Sequence, residues 1–152
     1  MPTVTIEAIH AKQTELAATI AQMTQQSSKT TFIEIESCDI ELAPGEHYAG
    51  AVLDENGEHQ HHLILMAQRS AGKLNWQAAM DWATSIGGAL PTRQEQALLY
   101  ANCKPHLRPV WRWSCETHAD DASYAGSCHF GDGGQDYLHE SYEGCAVAVR
   151  RV

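Results

Sequence analysis

Residues 87–96 read GGALPTRQEQ, and this stretch holds the end of one helix and the start of another. Gly87-Gly88 is typical of a helix C-terminus, because glycine adopts the left-handed backbone conformation without a steric cost. Thr92 and Glu95 have the spacing of a capping box, in which each side chain accepts a hydrogen bond from the other residue's backbone N–H. The stretch therefore predicts two helices joined by a short extended connection.

The residues on either side have helical periodicity. Asn75 is a good N-cap residue for the first helix. Its apolar face consists of Trp76, Ala79, Met80, Ala83 and Ile86. The second helix carries Leu98 and Leu99 on its apolar side, and Pro105 ends it.

A hairpin is predicted before the helices. The apolar runs 48–53 and 61–67 flank the turn sequence DENGE at residues 54–58, and Asn-Gly between strand-like runs is a strong hairpin pattern. Shorter apolar clusters at residues 32–35 and 40–42 predict one or two additional strands. Residues 25–30 read as a polar linker.

The C-terminal part changes character along its length. Residues 111–114 and 146–152 predict strands, the second interrupted by Arg150-Arg151. Residues 116–143 are rich in Gly, Ser, Asp, His and Tyr and lack a regular apolar period, so we expect surface loops and short hairpins there. The order of elements predicts an α+β domain whose last strand returns beside the first hairpin.

Residues 4–25 predict a separate N-terminal helix. Its apolar positions alternate spacings of three and four, as in a coiled coil, with one polar member. The seam consists of Ile6, Ile9, Gln13, Leu16, Ile20 and Met23. Such a narrow seam suits another helix better than a broad core, so we predict a homo-oligomer through residues 4–25, with a trimer favoured. The alternative is a helix packed on its own domain.

Composition restricts the partners. Lys plus Arg number 10 against 19 Asp plus Glu, for a formal charge of -9. This charge repels phosphate groups, so we expect neither nucleic acid nor an anionic membrane surface as partner. No apolar run approaches the ~20 residues of a membrane span, and we expect no membrane insertion and no signal peptide. The five cysteines contain no CxxC pair, which favours free thiols.

The region from Trp76 to Val152 resembles a known family through several short elements. They are Trp76-x5-Trp82-Ala83, Gly87-Gly88-x-Leu90-Pro91-Thr92-Arg93-x-Glu95-Gln96, Trp111-x-Trp113-Ser114-x-Glu116, Phe130, Gly134-x-Asp136 and Ala148-Val149-Arg150-Arg151. Together they resemble the phage and prophage branch of the C-type-lectin-like superfamily, which is related to formylglycine-generating enzymes. The resemblance implies a C-type-lectin-like fold with two helices, short antiparallel sheets and a long loop-rich segment. It also implies a virion-associated or bacterial cytoplasmic location.

One branch of this superfamily consists of variable proteins of diversity-generating retroelements. These elements mutate adenines in asparagine codons, which never yields Lys, Glu, Gln, Met or Trp. In residues 112–145, the positions between the scaffold elements all carry reachable residue types. They are Arg112, Cys115, Asp120, Asp121, Ser123, Gly126, Ser127, Cys128, His129, Asp132, Asp136, Tyr137, Leu138, His139, Ser141 and Cys145. The resemblance implies that they form one variable face that binds an unknown protein or glycan receptor.

These patterns also predict the organisation and the function of the chain. We predict an oligomerisation helix at residues 1–26 and a C-type-lectin-like domain at residues 27–152. The predicted function is receptor binding without catalysis, cofactor or metal. The alternatives are an enzyme of formylglycine-generating-enzyme-like ancestry and a structural virion or assembly protein. The chain lacks the Glu-Pro-Asn, Gln-Pro-Asp and Trp-Asn-Asp motifs of the calcium lectins.

Other side chains admit alternative roles. Cys115 with His118, Asp120 and Asp121 suggests a nucleophile with its base, although a surface loop is the simpler interpretation. His59 and His61 lie two apart and would share a strand face that can hold a metal, although an exposed strand is favoured.

Arg93 is expected to form a structural ion pair, with Glu116 as its partner. Trp111 and Trp113 also lie two apart, so we expect both on one face of a strand, in the core.

Overall fold

The N-terminal helix is the main element of the first of two units. The structure is a computed structural model that describes residues 5–27 and 33–152, and the chain divides into residues 1–38 and 39–152. Helix α1 spans Ile6–Ser27, which confirms the predicted helix over its described part. Its seam is exposed, with Leu16 at 61% and Met23 at 65%. Oligomerisation and the domain boundary at residue 26 stay predictions.

The second unit has an α+β architecture, as predicted. Two helices and two three-stranded antiparallel sheets build it, and with α1 the described residues contain three α-helices. The elements are β1 His47–Leu53, β2 His59–Arg69, α2 Trp76–Ser85, α3 Arg93–Cys103, β3 Trp111–Thr117, β4 Tyr124–His129, β5 Gln135–His139 and β6 Val147–Arg151. The first sheet has the order β1-β2-β6 and the second sheet the order β3-β4-β5. No helix within residues 5–27 and 33–152 combines the length and apolar character that crossing a bilayer requires.

The predicted hairpin is confirmed, and its turn is fixed by one aspartate. Gly57 adopts φ 82° and donates its backbone N–H to Asp54 O at 3.1 Å. The Asp54 carboxylate accepts from the backbone N–H groups of Asn56 and Glu58 at 2.8 and 2.9 Å. The return of the last strand is also confirmed, because β6 pairs with β2 with Val149 opposite Leu65.

The additional strands predicted near residues 32–35 and 40–42 are wrong where the structure describes them. Residues 33–43 contain no strand, and Ile33 and Ile35 are 80% and 87% exposed. A strand requires a partner for its backbone groups, and clusters of two or three apolar residues bury too little area to secure one. Phe32 and residues 28–30 of the predicted linker lie outside the described residues, and residues 25–27 belong to α1 instead of a linker.

Both predicted helix starts are confirmed by their caps. Asn75 Oδ1 accepts from Ala78 N at 2.9 Å. Thr92 Oγ1 accepts from Glu95 N at 3.1 Å, while Glu95 Oε2 accepts from Thr92 N at 2.8 Å. Gly87 follows α2 with φ 79°, as expected for a residue that ends a helix.

Strand β6 separates two apolar clusters. Val147 and Val149 belong to one cluster, and Ala146 and Ala148 to the other. The valine side packs with Leu63, Leu65, Leu99 and Phe130, and the alanine side with Met66, Ala79, Ala83, Leu90 and Trp113. Both faces of β6 are therefore in the core. Gly88 approaches the alanine side so closely that an added Cβ would lie 3.1 Å from Ala148 Cβ.

Residues 116–143 contain a short hairpin, as expected, but its first strand does not lie at the surface. Strands β4 and β5 lie there, and residues 125–128 are buried on both faces of β4. Their sequence is Ala-Gly-Ser-Cys, and such small side chains allow the core to cover both faces. For the same reason they show no alternation of large apolar and polar residues, which is the pattern that reveals a half-buried strand.

Candidate functional site

The second sheet positions the sixteen residues of the predicted variable face. Ser127 lies opposite both Trp113 and Asp136, so these three side chains share one face. Arg112 lies opposite Cys128 on the other face. The sixteen residues are therefore distributed over both faces and the connecting turns, which corrects the expectation of a single face.

Four of the sixteen residues are buried and offer no contact surface. Arg112 is 3% exposed, Ser127 and Cys128 are fully buried, and Gly126 is buried as well. Gly126 has a further constraint, because an added Cβ would lie 2.6 Å from Ser114 Oγ and 3.0 Å from Arg93 Cδ. These positions correct the predicted set. They belong to the packing that supports the site.

The other twelve residues retain access to solvent. Six are exposed, namely Asp120, Asp121, Asp132, Asp136, His139 and Ser141. Six are half-buried, namely Cys115, Ser123, His129, Tyr137, Leu138 and Cys145. We call these twelve residues the accessible set. Their role in ligand binding stays a prediction.

An aromatic and cationic cluster occupies the face toward α3. The guanidinium of Arg93 lies 4.4 Å from the centre of the Tyr137 ring and donates to the Tyr137 hydroxyl. The His118 ring meets Tyr137 edge-on at 4.5 Å, and Gln135 Nε2 donates to Arg93 O at 2.6 Å. The predicted ion pair between Arg93 and Glu116 is wrong, because the Glu116 carboxylate accepts from the backbone N–H of Arg93. Tyr137 takes the guanidinium instead.

Trp111 and His129 form a smaller cluster on the opposite face. Their ring centres are 5.3 Å apart, and His129 Nδ1 lies 3.3 Å from Asp132 Oδ1. Trp111 and Trp113 share this face, as predicted, since they lie opposite His129 and Ser127. Only Trp113 is a core residue, at 1% exposure, and Trp111 is half-buried.

Carboxylates shape the turns that carry the accessible set. Asp121 accepts from Ser123 Oγ and Ser123 N, and these hydrogen bonds hold the pKa of Asp121 below its usual value. Asp132 accepts from Gly134 N at 3.0 Å, which together with His129 lowers the pKa of Asp132. Both turns therefore present fixed negative charges near neutral pH.

Sequence reasoning missed two exposed tyrosines in this region. Tyr124 is 39% exposed and contacts the His139 ring at 5.4 Å. Tyr142 is 43% exposed and meets the buried Trp113 edge-on at 6.2 Å. Aromatic residues within a polar, Ser/Asp-rich segment are the pattern that would have identified them, because tyrosine is enriched at binding surfaces.

The proposed nucleophile arrangement gains no geometric support. Among the hydrogen bonds of the described residues, none joins Cys115 to His118, and His118 Nδ1 accepts from Asp120 N at 3.1 Å. Burial raises the pKa of the Cys115 thiol, and the Glu116 carboxylate raises it further. The thiol is therefore protonated at neutral pH and is a weak nucleophile. Cys103, Cys115, Cys128 and Cys145 form no disulfide.

The histidines of β2 are arranged differently from the expected His59–His61 pair. The His61 Nε2 atom lies 2.8 Å from Glu95 Oε1. His59 contacts His62 instead, with ring centres 4.4 Å apart. Within the described ranges, no group of three or more potential ligands is placed to hold a metal ion.

Glu95 has a second role beyond its helix cap. It is 1% exposed, and its two oxygens accept from Arg151 Nε at 2.7 Å and Arg151 Nη2 at 2.8 Å. Burial raises the pKa of Glu95, but hydrogen bonds from Arg151, Thr92 and His61 outweigh this, so the pKa lies below its usual value. We call Glu95, Arg151 and His61 the Glu95 cluster, and it ties α3 to both β2 and β6.

No family model matches the chain. No curated protein matches it either.

Proposed function

We propose that residues 39–152 form a ligand-binding module with a C-type-lectin-like fold, and that the accessible set contacts a protein or glycan receptor. One observation carries the proposal. The twelve residues of the accessible set reach solvent from turns and from strands β3, β4 and β5, while the frame beneath them, including Trp113 and Phe130, is fully buried. A rigid frame under adaptable polar side chains is a general feature of binding surfaces built on loops.

The chemistry of the accessible surface supports macromolecular recognition. Asp120, Asp121, Asp132 and Asp136 are exposed, and no Lys or Arg occurs between Trp113 and Val149. Tyrosines and histidines interleave these carboxylates and supply flat contact area at low entropic cost. This surface suits a neutral or basic receptor surface and repels an acidic one.

The same features favour binding over catalysis. The Cys115 thiol is protonated, and no hydrogen bond connects it to a histidine base. A groove of about 720 Å³ lies beside Phe130, and its walls contain neither a thiol nor an imidazole. It is lined by Tyr100, Ala101, Lys104, Pro105, Leu107, Pro109, Phe130 and Gly131.

The diversification hypothesis is retained for the accessible set alone. Exposed substitutions typically change stability by about 0.5 kcal/mol or less, so these positions tolerate many side chains. The buried positions 112, 126, 127 and 128 do not, because their side chains, or the lack of one, are part of the packing. We therefore expect copies of the gene to vary at accessible positions and to keep Trp111, Trp113, Phe130 and Gly134.

Oligomerisation through α1 would add avidity to this surface. The seam of α1 carries Ile6, Leu16 and Met23 at 74%, 61% and 65% exposure, and its heptad spacing matches that of a second copy of the same helix. Linked sites gain about 10²–10⁴ in avidity without new contacts. We propose a trimer, in which three weak sites act together on a virion or in the bacterial cytoplasm.

The binding claim is tested with labelled full-length chain on a panel of intact bacterial strains, read by flow cytometry. Asp120→Ala/Asp136→Ala removes two exposed carboxylates from the accessible set. Glu55→Ala/Glu58→Ala removes two exposed carboxylates from the hairpin turn and serves as the matched control. We expect binding to at least one strain that the first variant loses and the second keeps. Absence of binding to every strain, or equal binding by both variants, would contradict the proposal.

A further inference from the structure

Arg112 is a buried arginine whose side chain forms no hydrogen bond and no ion pair with the described residues. It lies on β3 at 3% exposure. Its Nε atom has no hydrogen-bond partner, and none of the ion pairs among residues 5–27 and 33–152 includes it. A guanidinium has five N–H donors, and a buried charge is normally paired and hydrogen-bonded. Arg112 departs from this rule.

Two other arginines of the same domain show the usual arrangement. Arg150 donates to Glu46 through Nε and Nη2 at 2.9 and 2.7 Å. Arg151 binds Glu95 with two similar hydrogen bonds. Both are more exposed than Arg112, and each nevertheless has a carboxylate. Of these three arginines, the most buried one, Arg112, is the one without a carboxylate.

The surroundings of Arg112 reinforce this need. Burial lowers the pKa of Arg112 to about 10, and the positive charges of Arg69 and Arg108 contribute to the shift, while Cys145 opposes it. Arg112 therefore remains a cation at neutral pH, with the positive charges of Arg69 and Arg108 close enough to act on it. The Phe130 ring, 5.8 Å from the guanidinium carbon, is near the outer limit of a cation–π contact and replaces no hydrogen bond.

A second unsatisfied polar atom lies on Gln96, which contacts the backbone of Arg112. Gln96 Nε2 donates to Arg112 O at 2.9 Å, which fixes the orientation of the amide. Gln96 Oε1 is buried and has no hydrogen-bond partner. One unsatisfied donor, Arg112 Nε, and one unsatisfied acceptor, Gln96 Oε1, thus occur on two adjoining buried residues, in a protein core where such atoms are rare.

We propose that Arg112 is the anchoring group of a buried site for a small oxyanion of the carboxylate or phosphate type. The planar guanidinium fork matches two oxygens of such a group and pairs with them more specifically than with a spherical ion. The low exposure of Arg112 restricts the ligand to a few heavy atoms. The ligand counters the charge of a buried arginine that forms no ion pair within the described part of the chain.

The test is thermal unfolding of the full chain, followed by tryptophan fluorescence, in Hepes buffer with sodium acetate or sodium phosphate added. Sodium chloride at matched ionic strength measures general screening. We expect a saturable rise in Tm with acetate or phosphate beyond that with chloride. Acetate supplies the carboxylate and phosphate the phosphate oxygens, so the two arms identify the preferred group.

Two variants connect the effect to Arg112. Arg112→Met keeps the length of the stem and removes the charge, and it is expected to abolish the saturable rise. Arg108→Met removes an exposed arginine nearby and is expected to keep it. A response of the wild type no larger than that with chloride would overturn the proposal, because water alone would then satisfy Arg112. A saturable rise that persists in Arg112→Met would overturn it equally.

A direct binding measurement covers the case in which Arg112→Met does not fold. Isothermal titration calorimetry of the wild type and of Arg112→Lys compares a guanidinium fork with a point charge. We expect at least tenfold weaker binding of the preferred anion to Arg112→Lys. Equal affinity, or no heat of binding for the wild type, would refute the assignment.

Discussion

Replacing Glu95 by glutamine tests the Glu95 cluster as the connection between α3 and the first sheet. Glutamine at the third helical position also completes a capping box, so the variant keeps the cap and removes the charge. Glu95 accepts from Arg151 at 2.7 and 2.8 Å and lies 2.8 Å from His61 Nε2. These contacts lose their ionic component in Glu95→Gln.

The expected cost follows from the exposure of the partners. Removing one member of a buried ion pair costs about 3–5 kcal/mol. Arg151 and His61 keep 34% and 23% of their side-chain exposure, so solvent compensates part of the loss. We expect Glu95→Gln to lower the free energy of unfolding by about 2–3 kcal/mol. With an m-value of about 1–3 kcal/mol per molar urea, the midpoint falls by about 1–2 M.

The assay is urea unfolding followed by tryptophan fluorescence, which reports on residues 39–152 because all four tryptophans lie there. Glu58→Gln, at an exposed position of the hairpin turn, is the control and is expected to change stability by no more than about 0.5 kcal/mol. A cost for Glu95→Gln as small as that of the control would refute the role of the cluster.

The pH dependence provides a second criterion. The pKa of Glu95 in the folded protein lies below the usual value of a glutamate. The stabilisation by its charge is therefore complete above the unfolded pKa and is lost as the pH falls through the folded one. The difference between wild type and Glu95→Gln is expected to shrink between pH 7 and pH 3. A difference that stays constant over this range would show that the charge of Glu95 does not stabilise the fold.

Three further predictions concern packing, association and capping. Gly126→Ala places a methyl group 2.6 Å from Ser114 Oγ and is expected to cost about 1–3 kcal/mol in urea unfolding. Gly72→Ala, with nothing within 4 Å, is the control, and equal stability of the two variants would contradict the packing argument. Leu16→Asp is expected to convert the oligomer to a monomer in light scattering after size exclusion, while Ala18→Asp, outside the seam, leaves the mass unchanged; a monomeric wild type would exclude the coiled coil. Asn75→Ala is expected to lower stability by about 1 kcal/mol through loss of the α2 cap, and an unchanged thermal midpoint would show that the cap contributes little.

Local interactions explain which elements were predictable. The caps at Asn75 and Thr92 and the turn at residues 54–58 each depend on residues at most four positions apart. These caps and this turn can therefore be recognised from the sequence alone. The α+β class was predicted from the alternation of these local patterns. The position of β6 was predicted because a last strand that pairs with the first hairpin is the simplest way to complete that sheet.

The failures involve contacts between residues far apart in sequence. Arg93 had a plausible carboxylate partner in Glu116, but the second sheet places the Tyr137 ring against its guanidinium. Glu95 was recognised as a cap, yet its contacts with His61 and Arg151 depend on how β2 and β6 lie beside α3. Arg112 and Cys128 were expected at the surface because they lie between the residues that carry the resemblance. Strand pairing buries them, and no local pattern carries that information.

The two-sided position of β6 has a consequence for biosynthesis. Leu65 of β2 pairs with Val149, so the first sheet is incomplete until β6 has been synthesised. Both apolar clusters also include residues from 146–149. Residues 146–149 must therefore leave the ribosome before the core of residues 39–152 can form. Helix α1 leaves the ribosome before that domain and needs only local hydrogen bonds. Such non-local closure is intrinsically slow, so a nascent chain exposes the leucines and isoleucine of β2 to chaperones throughout translation of the second sheet.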